Sequence, residues 1–213
     1  MNWLTTTLAT SVGKKLLMAL TGFAFLGFLA AHLAGNLTIY GGREAFNGYA
    51  ERLHAVGKLL LVFELGLIAF GVVHILTGLV LFYRNRSARP VSYAAKQSAG
   101  GQTLASITMP YTGILILAFV LFHLFNFTFT DKTGTTIFEI VTRSFQSPLY
   151  VAVYVAAMVV VALHVRHGFW SAFQTLGANH PKYMPAISFL TVALAVVVGI
   201  GFGLIPLYMM VRY

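Results

Sequence analysis

Five long apolar runs, separated by short polar connections, account for most of the 213-residue chain. They cover 16–37, 59–82, 104–127, 149–173 and 186–210. As helices rising about 1.5 Å per residue, each run crosses the roughly 30 Å of a bilayer's hydrocarbon core. Helix-breaking residues stand between them: Gly41-Gly42, Ser87-Ala88-Arg89-Pro90, Gly100-Gly101 and Gly177-Ala178-Asn179-His180-Pro181. The longest polar connection, 130–147, has room for a short surface helix around 136–145. The pattern predicts an all-α integral membrane protein with five transmembrane helices and a single membrane domain over 1–213.

Composition agrees with that pattern. Only 9% of residues are charged, 58% are hydrophobic and mean hydropathy is +0.82, whereas a soluble domain carries roughly 25% charged residues. The first run follows Lys14 and Lys15 and, at about 20 residues, exceeds the core of a cleaved signal peptide, so it is expected to be retained. With no cysteine, the chain has no ligand for an iron–sulfur cluster of its own and no C-x-x-C-H attachment for a c-type haem.

Charge sets the expected orientation. With the N-terminus inside, the inner side collects Lys14, Lys15, Arg84, Arg86, Arg89, Lys96, Arg166 and Lys182 and no acid. The outer side then holds Arg43, Arg52, Lys58, Lys132, Arg143 and Arg212 against Glu44, Glu51, Asp131 and Glu139. That bias places the N-terminus in the cytoplasm. It also accounts for the basic excess by membrane topology, with no nucleic-acid partner.

Four histidines then change the picture. His32, His74, His123 and His164 lie one apiece in the first four runs, with 42 residues between the first two and 41 between the last two. An imidazole within lipid is costly unless something engages it. In the alternating topology His32 and His123 fall in an outer layer, and His74 and His164 in an inner one. Each lies about 23–27 Å along its helix, so the layers are separated by roughly 10–15 Å. Two pairs of inward imidazoles are a ligand set for two metal cofactors, and four-helix bundles are known to hold haem in this way. Haems at such a separation lie close enough for fast electron transfer.

The surroundings of the histidines repeat as well. Thr21-Gly22 precedes His32 at the same offset as Thr112-Gly113 precedes His123, and Gly78 and Gly168 each follow a histidine by four residues. Eleven residues make about three turns, so Thr21 and Thr112 share a face with those histidines, at the inner level. Glycines here admit either a flat ligand or a neighbouring helix. Helix IV offers both His164 and His167; only His164 preserves the repeat, and it is the expected ligand. Arg166 and His167, nearer the inner surface, are placed either to pair with haem propionates or simply to reach the interface. His54 and His180 fall at helix ends or in loops and are not expected to bind iron. Gly199, Gly201 and Gly203 are expected to serve close helix packing.

With these residues the chain resembles the diheme cytochrome b membrane anchor of succinate:quinone oxidoreductases and fumarate reductases, in its single five-helix form. The likeness runs through His32-Leu33, Asn36, Arg43-Glu44-Ala45-Phe46-Asn47, His74 with Gly78, and Thr112-Gly113 leading to His123. It ends in His164 through Gly168-Phe169-Trp170-Ser171 to Gln174 and Gly177, where H-x3-G-x-W-S is the most specific stretch.

The resemblance implies two b haems, a bacterial cytoplasmic membrane, and partners comprising a flavoprotein subunit and an iron–sulfur subunit. It implies that His74 and His164 hold an inner haem proximal to the iron–sulfur subunit. His32 and His123 would hold a distal one near a menaquinone site. Glu64, about 15 Å outward from His74, is the expected proton-transfer residue for quinone. Where some fumarate reductases of this type carry a glutamate two residues before the fourth ligand, this chain has Ala162, which argues against a compensating proton path. Two alternatives stay open from the residues: the haem anchor of another dehydrogenase, of hydrogenase or formate dehydrogenase type, and a small proton-coupled transporter.

Overall fold

The computed structural model describes residues 2–88 and 104–213. Among the described residues there is no strand, and five helices are long and apolar enough to cross a membrane. The element order is α1 (Trp3–Ala9), α2 (Ser11–Leu37), a 3-10 turn (Thr38–Gly41), α3 (Gly42–Ala55), α4 (Lys58–Ser87), α5 (Leu104–His123), a π-helical turn (Leu124–Thr128), α6 (Ile137–Phe145), α7 (Pro148–Thr175) and α8 (Met184–Arg212).

The five spanning helices are the expected ones, extended by up to five residues at either end. The extra turns carry polar and basic residues such as Lys14, Arg84 and Arg86, which cost little to include once the apolar stretch is helical. The breaks at Pro90 and Gly100-Gly101 lie outside the described residues.

The spans pack as a ring in the order α4, α2, α7, α5, with α8 laid along the outside of α2 and α7. The α7–α8 seam is the most extensive, while α4 and α5 touch only sparingly. Small residues set the closest approaches. A Cβ on Gly201 would lie 2.8 Å from Leu33 Cδ2 of α2, and one on Gly199 would lie 3.0 Å from the Ala162 Cβ of α7. Glycines on α8 thus let it seat against both helices, as helix packing in lipid favours.

One end of the bundle is capped. There α3 and α6 lie over the helix ends, and their apolar faces join a core of Ile39, Phe46, Phe138, Val141, Phe145, Val151, Tyr154, Ile205 and Met209. The surface helix α6 forms where the sequence places it, because Thr136 and Glu139 make a capping box and its apolar residues recur at helical spacing.

α3 is a correction to the reading of its segment as a loop. Three residues of the Arg43–Asn47 motif clasp α6: Arg43 bonds Glu139 at 2.5 Å, Phe46 meets the Phe138 ring edge-on, and Asn47 Oδ1 accepts from Phe138 N at 3.1 Å. Spaced i, i+3 and i+4, they share one face only when the segment is helical.

Glu139 supplies a check on that clasp. The Thr136 backbone N–H, then the Arg43 guanidinium, hold its carboxyl down to about 2 from an ordinary 4.5. A depressed carboxyl stabilises the fold above its ordinary range and loses that contribution as pH falls. The difference in thermal midpoint between the native chain and Glu139→Gln is therefore expected to be constant above about pH 5. It should shrink as pH falls from 4.5 towards 2; a difference independent of pH would show that the carboxylate does not hold the clasp.

Candidate functional site

The four singled-out histidines are half-buried and gather in two groups along the bundle. Towards the open end, His74 of α4 and His164 of α7 lie at one level. Each is held by a threonine from the neighbouring helix: Thr21 Oγ1 lies 2.8 Å from His74 Nδ1, and Thr112 Oγ1 lies 3.0 Å from His164 Nδ1. Both threonines are buried, at 4% and 8% exposure.

The direction of these bonds follows from counting protons. A hydroxyl has one hydrogen to give. Thr21 gives its hydrogen to Leu17 O at 2.7 Å, and Thr112 gives its own to Met109 O at 3.0 Å. With those hydrogens on the carbonyls, each imidazole donates Nδ1–H to the threonine oxygen and keeps the Nε2 lone pair free. A histidine that ligates a metal through Nε2 needs this tautomer, held by a partner on its other nitrogen. Among the described residues, Nε2 of His74 and of His164 has no protein hydrogen bond, yet no buried side-chain nitrogen lacks a partner. Those atoms are therefore accessible within the bundle.

The glycines complete the cradle. A Cβ on Gly22 would come within 3.9 Å of His74 Cε1, and one on Gly113 within 3.6 Å of His164 Cε1. Both ring edges thus border space that any larger residue would begin to fill. Gly168 likewise faces open space, and Gly78 borders only the Met18 side chain. The twofold repeat of the sequence is a repeat in space, but across helices: each Thr-Gly pair serves the histidine of the next span, and only the level of the threonines was foreseen.

His32 of α2 and His123 of α5 form the second group, nearer the capped end. Their rings lie 5.9 Å apart between centroids at 89°. Two imidazoles bound on opposite sides of one metal ion, at about 2 Å per bond, have centroids roughly 6 Å apart. The surroundings are aromatic: Phe28 stacks on His32 at 5.2 Å, Phe202 of α8 lies 5.6 Å away, and Phe119 and Phe127 flank His123. The donor set of two neutral imidazoles per level, within an apolar bundle, suits haem iron.

The remaining expected residues separate into those near the histidines and those apart. His167 is half-buried and Arg166 exposed, and the described residues give neither a hydrogen bond. His164, not His167, meets Thr112 and Gly113. Glu64 stands on the exposed face of α4, away from both groups. His54 Nδ1 bonds the Ala50 carbonyl at 2.7 Å within α3, and His180 Nδ1 accepts from Lys182 N.

Tyr154 was missed. Its hydroxyl lies 3.4 Å from His123 Nδ1 and receives Asn126 Nδ2 at 3.3 Å. The signal was present, because Tyr154 precedes His164 by the ten residues that separate Glu64 from His74. A tyrosine simply attracts less notice in an aromatic-rich span than a carboxylate does.

No protein-family model, no curated protein and no solved structure matches the chain.

The threonine bonds are individually testable by NMR of ring-labelled histidines. Thr21→Val is expected to move only the Nδ1–H resonance of His74, and Thr112→Val only that of His164. Movement of all four histidine signals together, or of none, would contradict the pairing.

Proposed function

We propose that this chain is the diheme cytochrome b anchor of a succinate:quinone oxidoreductase or fumarate reductase, carrying electrons between an iron–sulfur subunit and membrane quinone. The observation that carries this reading is the pair of matched threonine–imidazole bonds, an arrangement that suits histidines ligating a metal through Nε2. Two b haems, when bound, would supply one-electron carriers between the iron–sulfur subunit and quinone.

The chain's own part is to hold and shield. His74 and His164 would ligate one haem, with Thr21 and Thr112 fixing their rings and Gly22, Gly113, Gly78 and Gly168 giving space to a flat macrocycle. His32 and His123 would ligate the other. Arg166 and His167, with no partner among the described residues, are offered to propionates near the open end. The capped end, with α3 and α6, is assigned to the outer side and the basic open end to the cytoplasm, following the charge bias. On that side the flavoprotein and iron–sulfur subunits would dock.

Quinone chemistry is assigned to the outer level. Glu64 is exposed on α4, open to a lipid-borne quinone such as menaquinone, and its carboxyl would exchange the protons that quinone reduction or quinol oxidation requires.

Substitution separates the two sites. In the assembled complex, His74→Ala and His164→Ala are each expected to lose the same single haem, and His32→Ala and His123→Ala the other. Any variant losing its haem in a different pairing would break the assignment. Glu64→Gln is expected to keep both haems while quinone-linked turnover falls at least tenfold; unaltered turnover would remove Glu64 from the scheme.

A further inference from the structure

The capped end carries a cavity that electron transfer leaves unused. One span ends at Thr128 and the next begins at Pro148, and α6 packs against the ends of both. Between them lies a cavity of about 340 Å³ whose walls include Phe125, Asn126, Asp131, Arg143, Ser147 and Tyr150. That volume is at the lower end of small-molecule pockets, which run roughly 300–1,000 Å³. No residue of α4 borders it, so it is separate from Glu64.

One side of the cavity is polar and carries both signs of charge. Arg143 and Asp131 are not paired with each other, because among the described residues the one ion pair is Arg43–Glu139. Arg143 also borders the neighbouring cavity, but there Glu139 is already taken by Arg43. Arg143 is thus the cation left over. Asp131 accepts from Thr133 N at 2.9 Å through Oδ1, and that backbone N–H holds its carboxyl below the ordinary range. Its Oδ2 has no protein donor among the described residues. Asn126 gives Nδ2 to Tyr154, which leaves its Oδ1 as a further free acceptor. The polar side therefore lacks an anion at one place and a cationic donor at another.

The other side is apolar and open. Phe125 and Phe129 are each 67% exposed, and Leu149 is 70% exposed. All three stand where the spans end, and large apolar residues beside charged ones at that level mark the change from hydrocarbon to headgroups. A ligand entering from this side brings its own apolar chains.

We propose that the cavity seats the headgroup of a phosphatidylethanolamine, with its phosphate on Arg143 and its ammonium on Asp131 and Asn126 Oδ1. A guanidinium forks onto phosphate oxygens, and an ammonium has three N–H donors for carboxylate and amide oxygens. A headgroup with phosphate and no amine would leave Asp131 facing like charge, and a quaternary amine has no N–H to give. Bound there, the lipid fastens α6 and the π-helical turn to the start of α7. The proposal stands on the spanning helices and the cavity's charges, and does not rest on the diheme reading.

Native mass spectrometry tests it, on the full chain offered equal amounts of phosphatidylethanolamine, phosphatidylglycerol and phosphatidylcholine with the same acyl chains. Phosphatidylethanolamine is expected to be the lipid retained, one per chain, as the others are stripped away. Arg143→Gln is expected to lower its retention about fivefold, the size suited to one partly exposed ion pair. Asp131→Asn, which keeps the acceptor for Thr133 N, is expected to abolish the preference over phosphatidylglycerol. Arg52→Gln, a cation of the same end outside the cavity, is expected to leave retention unchanged. Equal retention of the three lipids by the native chain, or a preference for either of the other two, would overturn the proposal. So would equal losses in Arg52→Gln and Arg143→Gln. The comparison of lipids needs no substitution, so it decides even if a variant assembles poorly.

Discussion

The candidate site turns on two buried hydroxyls, each within hydrogen-bond distance of an imidazole and of a carbonyl of its own helix. Where Thr21 and Thr112 donate to carbonyls of their own helices, they accept from His74 and His164, and each ring then carries its proton on Nδ1. A single such bond contributes about 1 kcal/mol or less to stability, too little to hold a bundle together. Its effect is on orientation. It selects which nitrogen is protonated, aims the other inward, and ties α2 to α4 and α5 to α7 at one level.

The bundle around these bonds is uneven in a way that suits them. α7 and α8 form a close seam through Gly199, and Gly201 seats α8 on α2 at Leu33. The ring stays looser between α4 and α5. At one end, α3 and α6 close the bundle with aromatic side chains and an Arg43–Glu139 ion pair. Polar contacts to imidazole nitrogens come from threonine at one level and from tyrosine or asparagine at the other. The two histidine pairs are alike in sequence spacing and unlike in surroundings.

Much of this was legible in the sequence where the physics is local. Apolar run length marked the five spanning helices, and the capping residues with helical spacing in 136–145 marked α6. The repeat of Thr-Gly and histidine singled out His164, the helix IV histidine that meets Thr112 and Gly113, and set the threonines at the right level. What stayed hidden depends on contacts between distant segments. α3 has a weak apolar pattern and shows its purpose only once Arg43, Phe46 and Asn47 meet α6. The threonine-to-imidazole bonds run between helices rather than along one, so offsets within a helix could not reveal them. Tyr154 shares with Glu64 an offset of ten residues before a histidine, but the π-helical turn carrying Asn126 has no signature short of the folded aromatic cluster.

Haem quantitation on the purified, unsubstituted chain bears most directly on the site as a whole. A reduced-minus-oxidised difference spectrum with b-type absorbance and two haems per chain is the result that four imidazoles grouped in two pairs predict. A chain purified intact from haem-replete cells with no b-type absorbance, or with a single haem, would contradict it.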